Sequence, residues 1–167
     1  MIKSFNPDAL PENKKESLIT AIYVGSVFIL LSLVYFVNAA ASNLWAGIVN
    51  FFSTLTLAQV PGTGFSLPAP AKPAIHVELY VAGFQITLGL GILEVAVLII
   101  RIMLHSPIAR KAETIENIVF WLGASFLAIT YLVNMTIMSE WFVFWAGIIL
   151  IAGISFVARA FVLLVRR

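Results

Sequence analysis

Few side chains in this sequence are equipped for chemistry, and they gather on one stretch. Glu94 and Arg101 lie within the apolar run Glu78 to Leu104, with Thr87 ahead of them and His105 just beyond. Read as a helix at about 100° per residue, the run places Gly83, Thr87, Arg101 and His105 within about 20° of Glu94. Gln85 falls on the opposite side. An ionisable group inside a membrane span costs at least about 2.5 kcal/mol at the bilayer centre, so it marks a site or a buried partner. Glu94, Arg101 and Thr87 are therefore the candidates for an intramembrane ion or proton site, or for a buried pair. Glu94 and Arg101 are two turns apart, about 10 Å along the axis. A direct bond between them within one helix is not expected, so the partner of Glu94 should come from another helix.

A second group sits near the end of the same span. Arg101, His105 and Arg159 are candidates for contacting an anionic lipid headgroup or a partner's acid. The competing reading is that the arginines only snorkel to the interface. Glu116 should come within reach of Arg159, because the last two spans form an antiparallel hairpin and bring these residues to similar depth. The third span also carries Gly123, Thr130 and Asn134 on the Glu116 face.

Other chemistries find no residues. There are no cysteines and only two histidines. His76 and His105 bracket the Glu78 to Leu104 span at opposite ends, so they cannot share a metal or haem within one chain. Phosphate-binding glycine loops, metal-ligand clusters and nucleophile–base motifs do not occur. No cofactor and no metal are expected. The net charge of +2 is too small to suggest nucleic acid as a partner.

The elements that must position these residues follow from composition. Of 167 residues, 61% are hydrophobic and 11% charged, with a mean hydropathy of +1.02. Soluble domains average about 25% charged residues, so the chain lacks the polar surface to live in water. The fold expected is an all-α integral membrane protein, a four-transmembrane-helix bundle. Residues 1–16 form a short cytoplasmic lead and residues 17–167 a single membrane domain. The spans run over about 17–39, 78–104, 115–138 and 141–165. Between the first two lie an outer amphipathic or interfacial helix over about 43–58 and a Pro-rich outer loop over 59–77. Asn43 is placed to cap that helix. The helix is too short for a span, which needs about 20 residues. Pro61, Pro68, Pro70 and Pro73 disfavour helix in the loop. Ser139 and Glu140 should make a tight turn, with Ser139 as a cap.

Of the ten lysines and arginines, all but Lys72 fall on one side of this arrangement. The positive-inside rule then puts both termini in the cytoplasm. Small residues bear on packing. Gly83, Thr87 and Gly91 form a four-residue run beside the Glu94 stripe, and Ala124 and Ala128 a weaker pair. In the first span Gly25, Phe28, Ser32 and Tyr35 share a face, expected to pack against another helix.

The expected function is that of a non-enzymatic integral membrane protein, an accessory or structural subunit or a self-assembling bundle. Its partners would be the lipid bilayer, copies of itself or other membrane subunits, and an anionic lipid. A small channel or transporter using Glu94 is the alternative, and a membrane enzyme with an unrecognised site a third. The expected location is a prokaryotic plasma membrane.

Overall fold

A computed structural model describes residues 11–41, 43–135 and 137–165. Most of them are helical. In chain order the elements are α1 (Glu12–Ala41), α2 (Leu44–Ser53), β1 (Leu55–Gln59), β2 (Ser66–Pro70), a 3-10 turn (Pro73–His76), α3 (Val77–Met103), α4 (Ile108–Leu127) and α5 (Ser139–Leu164). A π-helical turn, Ala128–Val133, prolongs α4.

Four helices are long and apolar enough to cross a membrane: 13–39, 73–103, 108–133 and 139–164. Even the shortest, at 26 residues, extend about 39 Å. That exceeds a hydrocarbon core of about 30 Å. The main pairings are α3 with α4, α4 with α5, and α1 with α3. Their outward faces are apolar: Phe36 is 76% exposed on α1 and Ile149 is 75% exposed on α5. Such faces match a lipid surround, where association rests on close packing and polar contacts rather than on escape from water.

Close packing occurs where glycines allow it. A methyl group on Gly91 would lie 2.4 Å from Leu122 of α4, and one on Gly89 would lie 2.5 Å from Leu30 of α1. Gly83 has open space around it, so only one end of the Gly83–Thr87–Gly91 run serves an interface. Ala124 and Ala128 are both buried. The Gly25–Phe28–Ser32–Tyr35 face was expected to pack and does not. Nothing approaches Gly25, and Phe28, Ser32 and Tyr35 are exposed.

Two boundaries in the first half of the chain differ from the sequence expectation. Helix α1 begins at Glu12, inside the assigned lead, with the Pro11 carbonyl accepting from the Lys14 and Lys15 amides at 3.0 and 3.1 Å. Pro7 and the rest of residues 1–10 lie outside the described residues, as do Arg166 and Arg167. The interfacial helix ends at Ser53, not at 58. Asn43 caps it through Oδ1, which accepts from the Ala46 amide at 3.2 Å. Leu55 continues the helical spacing of Leu44, Ile48, Phe51 and Phe52, but Leu55 and Leu57 also alternate with Thr56 and Ala58, and pairing with Ser66–Pro70 decides for strand.

The expected loop of 59–77 is thus largely ordered, as one arm of a hairpin and a 3-10 turn. Register explains how a proline-rich segment becomes a strand. Val60 N–H bonds Phe65 O and Ala71 N–H bonds Thr54 O, both at 2.9 Å. Hydrogen-bonded pairs alternate along an antiparallel ladder. Leu57↔Pro68 and Leu55↔Pro70 therefore occupy non-bonded positions. Each missing proline N–H would have pointed to the free edge, where proline is tolerated. The Pro68 carbonyl on that edge accepts from Trp141 Nε1 at 3.3 Å. This ties the hairpin to α5 over a cluster of Phe51, His76, Tyr80 and Trp141.

The last connection also differs. The widened turn after α4 ends at Val133, where Asn134 Nδ2 donates to Ile129 O at 2.8 Å. The third span stops short of 138. Ser139 is the first residue of α5 and not its cap; Met138 holds the cap position without a side-chain bond. Glu140 reaches back along the turn, its Oε2 accepting from the Ile137 amide at 3.1 Å.

Candidate functional site

Helices α1, α3 and α4 converge at the end of the fold that carries Lys15, Arg101, Arg110 and Lys111, here called the basic end. From Arg101 the α3 chain runs back two turns to Glu94. Helix α1 runs forward the same seven residues from Glu16 to Tyr23. The two pairs therefore stand at matching depths, about 10 Å apart along the axes.

At the deeper level Glu94 is 4% exposed. Its Oε1 accepts from Asn117 Nδ2 of α4 at 2.9 Å, and Tyr23 of α1 lines the same cavity. Both neighbours are neutral. Among the described residues Glu94 forms no ion pair, although the Arg101 charge acts on it through space. Three helices thus meet at one carboxyl group.

At the shallower level Arg101 pairs with Glu16 at 3.3 Å, with side chains 11% and 18% exposed. Its Nη1 also donates to Arg110 O at 2.7 Å and to Thr114 Oγ1. Thr114 in turn donates to Arg110 O at 2.9 Å. One guanidinium thereby binds the start of α1 and the first turns of α4 to the end of α3. Arg101 Nε and Glu16 Oε1 are buried without a hydrogen-bond partner. Arg110 is taken up by Glu113 at 3.0 Å.

Between these levels lies a cavity of about 270 Å³, walled by Thr20, Tyr23, Glu94, Val97, Arg101 and Asn117, with Ile19, Arg110 and Glu113 at its border. A second hollow of about 120 Å³ lies on the other side of the pair, among Lys15, Glu16, Leu104, His105, Ser106 and Pro107. Arg101 lines the first and Glu16 the second. A water's share of liquid volume is about 30 Å³, so the larger space has room for several waters beside a polar wall.

The structure distributes the remaining candidates differently. Thr87 turns to its own helix, Oγ1 donating to the carbonyls of Gly83 and Phe84 at 3.0 Å each. It does not line the Glu94 cavity. Gln85, opposite the stripe, accepts from Asn38 Nδ2 of α1 at 2.7 Å. That makes a second polar tie between α1 and α3, toward the other end. Arg159 Nη1 bonds Glu116 Oε2 at 3.0 Å, with side chains 45% and 14% exposed. Arg101, His105 and Arg159 do not form one pocket, because Arg101 turns inward to Glu16 and Arg159 is held by Glu116.

His105 has a backbone role. Its φ is +54°, the left-handed position after a helix end. Its amide bonds Ile102 O at 3.2 Å, and the next amide, Ser106, bonds Arg101 O at 2.9 Å. This is a Schellman closure, usually made by glycine. It turns the chain toward α4 and so brings Asn117 and Thr114 to face α3.

Tyr23, Asn117 and Glu16 belong to the site, and the search for charged residues on a single span missed them. Their signal was present as spacing. Glu16, Thr20 and Tyr23 repeat at four and three residues, and Glu116 and Asn117 follow Glu113 by three and four. Each set forms a polar stripe entering a span from its basic end. No family model, curated protein or solved structure matches the chain.

Proposed function

We propose that the chain is a non-enzymatic integral membrane protein with both ends in the cytoplasm, acting as an accessory or structural component. In this reading it assembles with copies of itself or with other membrane subunits in a prokaryotic plasma membrane. The observation that carries it is the enclosure of Glu94 between Asn117 of α4, which donates to it at 2.9 Å, and Tyr23 of α1. A carboxyl group so placed works as a clamp joining α1, α3 and α4. The broad apolar faces of α1 and α5 leave room for lateral partners. Native mass analysis in mild detergent tests assembly. A discrete oligomer or a co-purifying subunit is expected, and a bare monomer under all mild conditions would sink the proposal.

One observation favours a second reading, a small channel or carrier centred on Glu94. A cavity of about 270 Å³ with polar walls adjoins the clamp. Reconstituted protein should then support flux of protons or alkali cations that Glu94→Gln removes. No flux of either, from protein shown to be folded, would dismiss that reading.

A further inference from the structure

From the cavity, its wall and the arrangement of charges, we infer that Glu94 is a binding site for a small monovalent cation, reached from the basic end through a vestibule that the Glu16–Arg101 pair closes. The inference builds on the second reading above, and adds the ligand class, the direction of access and the gate.

The ligand class follows from charge accounting. The titratable groups facing the cavity are Tyr23 from α1, Glu94 and Arg101 from α3, and Arg110 and Glu113 from α4; Glu16 faces the hollow on the far side of Arg101. Arg101 is matched by Glu16 and Arg110 by Glu113. Glu94 is left as one negative charge with neutral donors only. A single carboxylate with the hydroxyl-bearing side chains of Tyr23 and Thr20 on the same cavity wall suits one positive charge. Among the described residues, no cluster of three or more acidic or histidine ligands exists to hold a divalent ion. Hard oxygen donors suit a proton or an alkali cation. In either form the cation neutralises the unmatched carboxylate.

The direction of access follows from the two hollows. Toward the opposite end, α3 is sealed against its neighbours by Leu30 over Gly89 and Leu122 over Gly91. Toward the basic end, the Glu16–Arg101 pair separates the Glu94 cavity from the hollow beside His105. The pair is the contact that must part for passage, since Arg101 Nη2 and Glu16 Oε2 lie 3.3 Å apart between α3 and α1. Helix α1 is the element to move, since its main packing partner is α3 alone.

The absence of cysteine allows a direct test on the full chain in phosphatidylcholine–phosphatidylglycerol vesicles. Val97→Cys places a thiol on the cavity wall, and Ile149→Cys is a lipid-facing control. A small cationic methanethiosulfonate should modify Val97→Cys from the basic side only, and the control from neither. Adding Glu16→Gln should raise the Val97→Cys rate on the order of tenfold, the scale of a typical coupling between two states. In the protein with Glu16 intact, a hydrophobic carbodiimide should label Glu94, read by peptide mass. Protection by sodium, lithium or potassium at fixed pH identifies an alkali cation. Protection only as pH rises identifies the proton. Unlabelled Glu94, labelling that neither ions nor pH alter, or a Val97→Cys inert from the basic side overturns the inference. Labelling and protection without flux would retire the carrier reading and leave the binding site standing.

Discussion

Two arginines of the same type stand near the same end of this protein, yet removing them should have very different consequences. In Arg159→Gln the lost contact is a single 3.0 Å bond to Glu116 from a side chain 45% exposed. Exposed pairs of this kind contribute about 0–1 kcal/mol. In Arg101→Gln the lost contacts are the 3.3 Å pair with Glu16, the 2.7 Å bond to Arg110 O and the bond to Thr114. Arg101 is 11% exposed and Glu16 is 18% exposed, and surrounding lipid can only bury them further. The variant leaves a carboxylate of α1 enclosed without its cation. Stranding one member of a buried pair costs about 3–5 kcal/mol. Glu16 lies at the mouth of the fold, where headgroups and water relieve part of this, so about 3 kcal/mol is the expected loss. The assay is equilibrium unfolding in mixed micelles, titrating a denaturing detergent into a mild one, with helicity as the readout. The double change Glu16→Gln/Arg101→Gln should recover more than half of the loss, since no charge is stranded. Equal effects of the two single arginine changes, or no recovery in the double variant, would refute the reasoning that burial and partner count separate them.

Four further expectations follow from named contacts. A double-mutant cycle of Glu94→Ala and Asn117→Ala should give a coupling of about 0.6–1.7 kcal/mol, the span seen for interhelical hydrogen bonds in membranes; additivity within about 0.3 kcal/mol would mean the bond contributes nothing. Gly91→Ala should destabilise by about 1–3 kcal/mol through overpacking on Leu122, while Gly83→Ala, with nothing within 4 Å, should not; the two are compared by the same detergent titration. His105→Val should cost about 1–2 kcal/mol because a β-branched residue resists the left-handed backbone, and His105→Gly should be tolerated; a tolerated valine would argue that the Schellman closure is unimportant. Asn38→Leu should remove the donor to Gln85 and weaken α1–α3 docking by about 0.6 kcal/mol, measured as a coupling against Gln85→Leu.

Much of the architecture was legible because it depends on averages over long segments. Four apolar runs, one charge-free stretch from Ser17 to Ala71 and the placement of lysines and arginines report transfer free energies summed over many residues. Such sums survive local detail. The two-stranded hairpin did not register, because proline reads as a strand breaker until the pairing partner shows which face its missing N–H occupies. The Glu94 stripe was visible from angular arithmetic on one helix. Its true partners were not, since that arithmetic says which residues share a face and nothing about which helix lies opposite. Thr87 shows the same limit: it shares the stripe with Glu94 yet bonds only its own backbone.

The sequence by itself determined that this chain cannot be coated for water, that it has four segments long enough to span a membrane, and that a carboxyl group sits deep in one of them. Those conclusions rest on composition and on the length of a helical rise, which no tertiary arrangement changes. Tertiary structure alone decided what that carboxyl group meets. Crossing helices set Tyr23 and Asn117 against Glu94 and set Glu16 against Arg101, at sequence separations that no local period encodes. It also decided which of two arginines is enclosed, because enclosure is a property of the neighbours and not of the residue.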